Sequence, residues 1–305
     1  MIRTTTTLLS TVLALAACNG TTINIDPNTA PPTAASGYAA PTSDLTDPAE
    51  TVTRKPELQH WDIGSGTVDQ KIAPIRISAT GSMVNGHPEF VLTYRNTPVV
   101  LQWDNLDGRY EGINGNMEIW VYPWYITLNG QASLGWVNIT DWGNTYGDSW
   151  GLEVGGFNTD PAVVAGRSGS GQATYLGQGG VSLNAQDNSF WASADGPATL
   201  IADFDAGTIS GWIDLFHNNN SGAVTIANTT LTINPMLITS NTFDGTASIN
   251  PADFGLSGIG TISVDGMFYE AGATAVGGGI SGVGTATPGN GGVTAFLNGA
   301  FLAEE

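Results

Sequence analysis

Residues 198–215 read ATLIADFDAGTISGWIDL, and the reading of this stretch decides the fold. Ala198, Leu200, Ala202 and Phe204 fall on one side of a period-two pattern. After the turn at Asp205-Ala206-Gly207, Ile209, Gly211, Ile213 and Leu215 alternate in the same way, with Ser210 and Asp214 opposite. Strict alternation is the signature of a strand with one dry face, and Gly in a short polar link closes it into a hairpin. Similar stretches recur on both sides. Approximate strands are expected at Gly171–Gly179, Ala198–Asp205, Thr208–His217, Ala223–Ile233, Thr242–Ile249, Thr261–Glu270, Ala273–Val283 and Val293–Leu302. The links between them, such as Asn218-Asn219-Asn220-Ser221-Gly222 and Pro288-Gly289-Asn290-Gly291-Gly292, carry turn chemistry. Eight short antiparallel strands joined by hairpins predict an all-β, up-and-down barrel over residues 166–305. Closure removes exposed sheet edges, and a barrel of this strand number is narrow enough to be filled by its own side chains. The second faces carry Asp203, Asp205, Asp214, Thr230, Thr232 and Ser248, so the wall is expected to be polar outside, unlike a barrel that spans lipid.

Upstream, residues 56–165 alternate too, but with many aromatics: EFVLTYRNTPVVLQW, NMEIWVYPWYITLNG and ASLGWVNITDW read as strands of a β-rich handle domain. Asp107-Gly108 and Asn129-Gly130 are hairpin-turn candidates. Trp103, Trp120, Trp124, Trp136, Trp142 and Trp150 all lie here. Two readings of them stand: core residues, which is the commoner use of Trp at strand spacing, or an exposed platform for sugars. Residues 18–55 are rich in Thr, Pro, Ala, Ser and Asp without apolar periodicity and read as a flexible tether. Residues 1–17 combine Arg3 with an apolar run from Leu8 to Ala17, too short to cross a bilayer, and read as a secretory signal. Leu15-Ala16-Ala17-Cys18 resembles a bacterial lipobox, which implies diacylation of Cys18, the single cysteine of the chain, as the mature N-terminus. Asn19 follows where an inner-membrane lipoprotein commonly has aspartate, which favours the outer membrane.

The chain carries 8 Lys and Arg against 27 Asp and Glu, a formal net charge of −19. Such a chain does not track a phosphate backbone, so nucleic acid is excluded as a partner, and anionic headgroups repel it; any membrane attachment comes from lipid. No Lys or Arg follows Arg167. This acidity reads as solubility, or as a surface for a basic ligand. Little chemistry is on offer. His60, His87 and His217 lie in separate segments, without the spacing of a zinc site. GRSGSGQ (166–172) precedes a strand and is no nucleophile elbow. His217 could serve as an axial haem ligand and Asp203 with Asp205 as calcium ligands, although a loop histidine and solvated strand-end carboxylates are the commoner uses. Neither an enzyme nor a resident cofactor is expected.

Several stretches resemble transferrin-binding protein B and its relatives. GFNTDPAVVAGRSGSGQATYLGQGG (156–180) resembles the entry to that family's barrel, with Gly171, Ala173, Tyr175 and Gly177 on its Gly-x-Ala-x-Tyr-x-Gly strand. ADFDAGTISGWI (202–213) and NTFDGTAS (241–248) are similar to later strands. GMFYEAGATAVGG (266–278) is similar to its Gly-x-Phe-Tyr-Gly-Pro-x-Ala-x-Glu-x-Gly-Gly motif, with Glu270 in place of Gly, Ala271 in place of Pro and Ala275 in place of Glu. The resemblance implies a handle-and-barrel lobe on a surface lipoprotein that captures a host or environmental protein carrying iron or haem, beside a TonB-dependent receptor. It carries over no ligand-binding residue. A structural or adhesive surface protein and a glycan-binding module are the rival readings.

Overall fold

The computed structural model describes residues 57–305 except the connections 63–66, 73–74, 85–86, 95, 128–131, 143–147, 157 and 222–223. The expected signal, the whole of the tether with Cys18, and the Asn129-Gly130 turn lie outside the described residues. Nine strands form the first sheet: β1 (Glu57–Asp62), β2 (Thr67–Ile72), β3 (Ile75–Val84), β4 (His87–Tyr94), β5 (Thr97–Asp104), β6 (Arg109–Asn114), β7 (Met117–Ile126), β8 (Ala132–Asp141) and β9 (Asp148–Gly156). Their spatial order is β2-β1-β9-β8-β7-β6-β5-β4-β3. The edge strands β2 and β3 are consecutive in the chain, with residues 73 and 74 between them. Ile72 and Ile75 can then be no more than about 11 Å apart, so the sheet curls until its edges approach. Its inner face buries Leu92, Val99, Leu101, Trp103, Tyr110, Ile119, Val137 and Ile139. Trp103 meets Tyr110 edge-on at 5.1 Å, a core tryptophan as expected of strand spacing. Gly108, at φ 64°, turns β5 into β6.

A short helix, α1 (Pro161–Gly166), leads into the second unit. Asp160 caps it by accepting from the Ala162 N–H, and Pro161 opens the first turn, where its missing donor costs nothing. The remaining strands are β10 (Gln172–Ala185), β11 (Trp191–Asp203), β12 (Thr208–Leu215), β13 (His217–Ser221), β14 (Thr229–Thr239), β15 (Thr242–Ser248), β16 (Leu256–Ile259), β17 (Ile262–Tyr269), β18 (Ala275–Ala286) and β19 (Thr294–Glu304). Eight of them close a ring: β10, β11, β12, β14, β15, β17, β18 and β19 pair in chain order, and β19 returns to β10 from Leu176–Glu304 to Ala185–Ala295. This is the antiparallel up-and-down barrel that the alternation predicts. Its bore is filled. Tyr175, Phe204 and Phe243 surround Phe268, and Phe301 stacks on Phe243, with ring centroids 5.8–6.5 Å apart. Apolar side chains line the inside and Asp203, Asp214 and Thr232 the outside, the reverse of a lipid-spanning wall.

Four strand expectations need correction. The link expected at Asn218–Ser221 is strand β13, paired with β11, and β10 runs on to Ala185, past the expected end at Gly179. β11 begins at Trp191, well before Ala198, because Gly196 and Pro197 lie within it. There the neighbouring chain carries one extra residue between β12 and β13, so Pro197, which pairs with Gln178 of β10, has no partner on that other side. A Cβ on Gly196 would sit 1.9 Å from the Asp214 carbonyl oxygen, so only glycine fits this crossing. Conversely, the strand expected from Ala223 begins at Thr229. Val224 and Ile226 are buried without joining a ladder, and the Ala227 N–H donates to the Asp253 carbonyl instead.

The two units share a core in which Leu134, Leu152 and Val154 pack on Met267, Tyr269, Ala275, Ala300 and Leu302, with Tyr125 and Trp136 at its margin. Small residues permit the approach: a Cβ on Gly277 would lie 2.7 Å from a Val154 methyl. Polar contacts fix the register. The Leu152 N–H donates to Asn298 Oδ1 at 2.9 Å, Asn158 bridges Tyr269, and the Asn241 amide donates to the Thr159 carbonyl at 2.7 Å. Tyr125 donates to Glu304 at 2.6 Å.

Candidate functional site

A barrel filled by its own side chains leaves binding to surfaces. One surface is organised by strand register alone, and that is the outer face of β5 to β8. Alternation sends Val99, Leu101 and Trp103 inward, so Val100, Gln102 and Asp104 face out. Pairing places Gln102 opposite Glu111 and Asp104 opposite Arg109. Across β6 and β7, Glu111 meets Trp120, and Ile113 meets Glu118. Across β7 and β8, Trp120 meets Asn138 and Tyr122 meets Trp136. The result is a strip of aromatics and carboxylates that starts at the junction with the barrel and ends at exposed apolar residues. Val100 is 46%, Ile113 69% and Trp142, just past β8, 71% exposed.

Arg109 is the centre of this strip. Its guanidinium lies 4.5 Å from the Trp120 ring centroid and 5.4 Å from that of Tyr122. It donates to the Tyr122 hydroxyl and to Glu111 Oε2 at 3.0 Å, and pairs with Asp107 at 2.8 Å. Partial burial opposes its charge, but the hydrogen bonds to Tyr122 and Glu111 outweigh that and raise its pKa. Trp120 Nε1 donates to Glu118 at 3.0 Å, which restrains the indole beside that carboxylate. Asp104, Asp107 and Glu111 have carboxylate oxygens within 4.8 Å of one another, the spacing of a cation site. Arg109 supplies the compensating charge there. The strip thus holds one guanidinium, that of Arg109, against an indole, a phenol and two carboxylates; no nucleophile–base pair is built among its described residues.

The remaining sequence candidates are dispersed. His60 lies in β1, His87 in β4 and His217 in β13, so strand assignment does not gather them into one site. Asp203 and Asp205 do not converge on an ion. Asp203 accepts from Gln172 Nε2 and from the Asp205 and Ala206 N–H groups, and these bonds hold its pKa below the usual value; Asp205 accepts from the Gly171 N–H. Both carboxylates shape the barrel rim. GRSGSGQ runs from the end of α1 into β10, with Gly169 and Gly171 at positive φ. Arg167 within it seals that rim: it lies 4.3 Å over the Phe204 ring, donates to the Ala273 carbonyl at 3.0 Å and holds Glu305 with two bonds of 2.7 and 2.8 Å. Of the handle tryptophans, Trp103 is core and Trp136 packs at the junction. Trp120 and Trp142 are surface residues, and the side chains of Trp124 and Trp150 lie outside the described set. Sequence reasoning missed Arg109. Its signal was present as the single basic residue between Thr97 and Asp141, a span with five acidic ones.

No protein-family model matches this chain, and no curated protein does. Among solved structures, it is similar to a variant of transferrin-binding protein B from Haemophilus parasuis, at 17% identity over 81% of this chain and 44% of that one, with a TM-score of 0.46. It is also similar to the isotype 1 transferrin-binding protein B of serogroup B Neisseria meningitidis, at 18% identity over 81% of this chain and 43% of that one, with a TM-score of 0.41. The chain thus spans less than half the length of either.

Proposed function

We propose that this protein is an outer-membrane lipoprotein that captures a haem- or iron-carrying protein at the cell surface. Acylated Cys18 holds it to the membrane, residues 19–55 act as the spacer, and the barrel is the rigid mount. Tethering the binder beside a TonB-dependent receptor raises the effective concentration of its cargo there. The observation that carries the reading is the face built by β5 to β8. It leaves Val100 and Ile113 in water on the same side as half-buried Trp120 and Tyr122, with exposed Trp142 just past the end of β8, while the bore of the barrel is occupied by side chains. The lipobox and the barrel motifs read in the sequence agree with it.

The anchor and the capture are tested separately. Cys18→Ala should move the protein from the membrane fraction to the soluble fraction; unchanged retention refutes acylation. The soluble Cys18→Ala chain, immobilised, should bind transferrin, haemoglobin or haem at micromolar or lower concentration, and failure with all three refutes capture. Exposed Trp142 favours a second reading, a glycan platform. A tryptophan-fluorescence titration with neutral polysaccharides that stays flat discards it.

A further inference from the structure

The outer face of β5 to β8 has a chemistry that narrows what can dock on it. Four carboxylates, Asp104, Asp107, Glu111 and Glu118, stand beside one cation, Arg109. Arg109 displays how this face handles a guanidinium: an indole under one side, a phenol beside it, and two carboxylates at hydrogen-bond distance. A planar cation gains stacking energy over Trp or Tyr and bidentate bonds from carboxylates. At the far end, Val100, Ile113 and Trp142 offer an apolar margin.

We infer that this face docks a cationic protein surface rich in arginine, with the apolar margin covered by neighbouring aliphatic side chains of the partner. The inference rests on the capture reading and adds the chemistry of what is captured. Charge decides among occupants. A second copy of a chain at formal net −19 is repelled, and so is a nucleic acid or an anionic lipid surface. A basic partner is drawn in by the whole chain and oriented by the strip, so association is fast at low salt and weakens as salt screens it.

The probe is nona-arginine, with nona-lysine beside it, titrated against the full-length Cys18→Ala chain at low and high salt. Amide variants keep the local hydrogen bonds: Asp104→Asn can still accept from the Leu106 N–H, and Glu118→Gln from Trp120 Nε1. The double variant D104N/E118Q should bind nona-arginine about fivefold to tenfold more weakly, a rim-charge effect. D214N/D244N removes the same charge from the barrel wall and should leave binding within about twofold. Nona-lysine should bind less tightly than nona-arginine, because an ammonium cannot stack and fork as a guanidinium does. Hydrogen exchange should slow in residues 98–122 when nona-arginine is bound. No binding at low salt, equal weakening by the two double variants, or protection confined to the barrel overturns the inference. If these arms fail while transferrin, haemoglobin or haem still binds, the partner chemistry is wrong and capture stands. If nona-arginine binds as described and none of those three does, capture by this route to iron is what fails.

Discussion

Glu270 holds a backbone conformation made for glycine, and substituting it separates strain from side-chain contacts. Its φ of 69° and ψ of 162° fall in a region that side chains with a Cβ avoid, at a cost of about 1–3 kcal/mol. The surroundings impose it. The Glu270 carbonyl accepts from Thr159 Oγ1 at 2.7 Å, the adjacent Tyr269 bridges Asn158, and Thr274 Oγ1 donates to the carboxylate at 2.9 Å. Glu270→Ala and Glu270→Gly lose the same carboxylate and the same bond from Thr274, and differ by one methyl group. In an ordinary strand Ala is more stable than Gly by about 0.5–1 kcal/mol. Here relief of strain reverses the order, and the net advantage of Gly over Ala is about 0.5–2 kcal/mol. For a unit of this size that is a difference of about 1–8 °C in melting temperature. Urea midpoints for the two variants, at equal slope, read the same quantity. Ala303→Gly, in the buried regular strand β19, serves as the control and should destabilise. If Glu270→Ala proves as stable as Glu270→Gly or more so, the strain argument is wrong.

Arg167→Met should lower stability by about 2–3 kcal/mol in urea unfolding, because the Ala273 carbonyl and the Phe204 ring lose their cation, while the half-exposed pair with Glu305 adds little. Arg167→Lys should recover less than half of that loss, since lysine cannot fork. Asn298→Leu strands the buried Leu152 N–H and should cost about 1–3 kcal/mol; separate unfolding transitions for barrel and first sheet would show its role in joining them. Burial raises the pKa of Tyr110, Tyr125 and Tyr175, with the bond to Glu304 adding to the effect at Tyr125. The folded state then keeps phenolic protons that the unfolded chain releases. Stability should be unaffected below about pH 10 and fall above it, by up to about 1.4 kcal/mol per pH unit for each tyrosine. Urea midpoints at pH 9 and 11 check this, and Tyr125→Phe should flatten the decline.

The eight barrel strands were legible because a strand with one dry face writes a period-two pattern into its own sequence, and Gly-, Asn- and Pro-rich turns mark its ends. Chain-order pairing followed, since hairpins leave neighbours in sequence as neighbours in space. The same local rule misplaced Ala223 and the start of β11. Val224 and Ile226 alternate but are buried outside any ladder, and Pro197 sits where a bulge leaves it no partner on the β12 and β13 side. Glu270 was visible as a departure from a glycine position, yet only the fold showed that the glycine backbone is kept. Closure of β19 on β10 and the assembly of Arg109 with Trp120 and Tyr122 belong to tertiary structure. Alternation is a property each strand carries alone. Which side chains meet across strands depends on register, bulges and curl, and those are set by how the whole sheet packs.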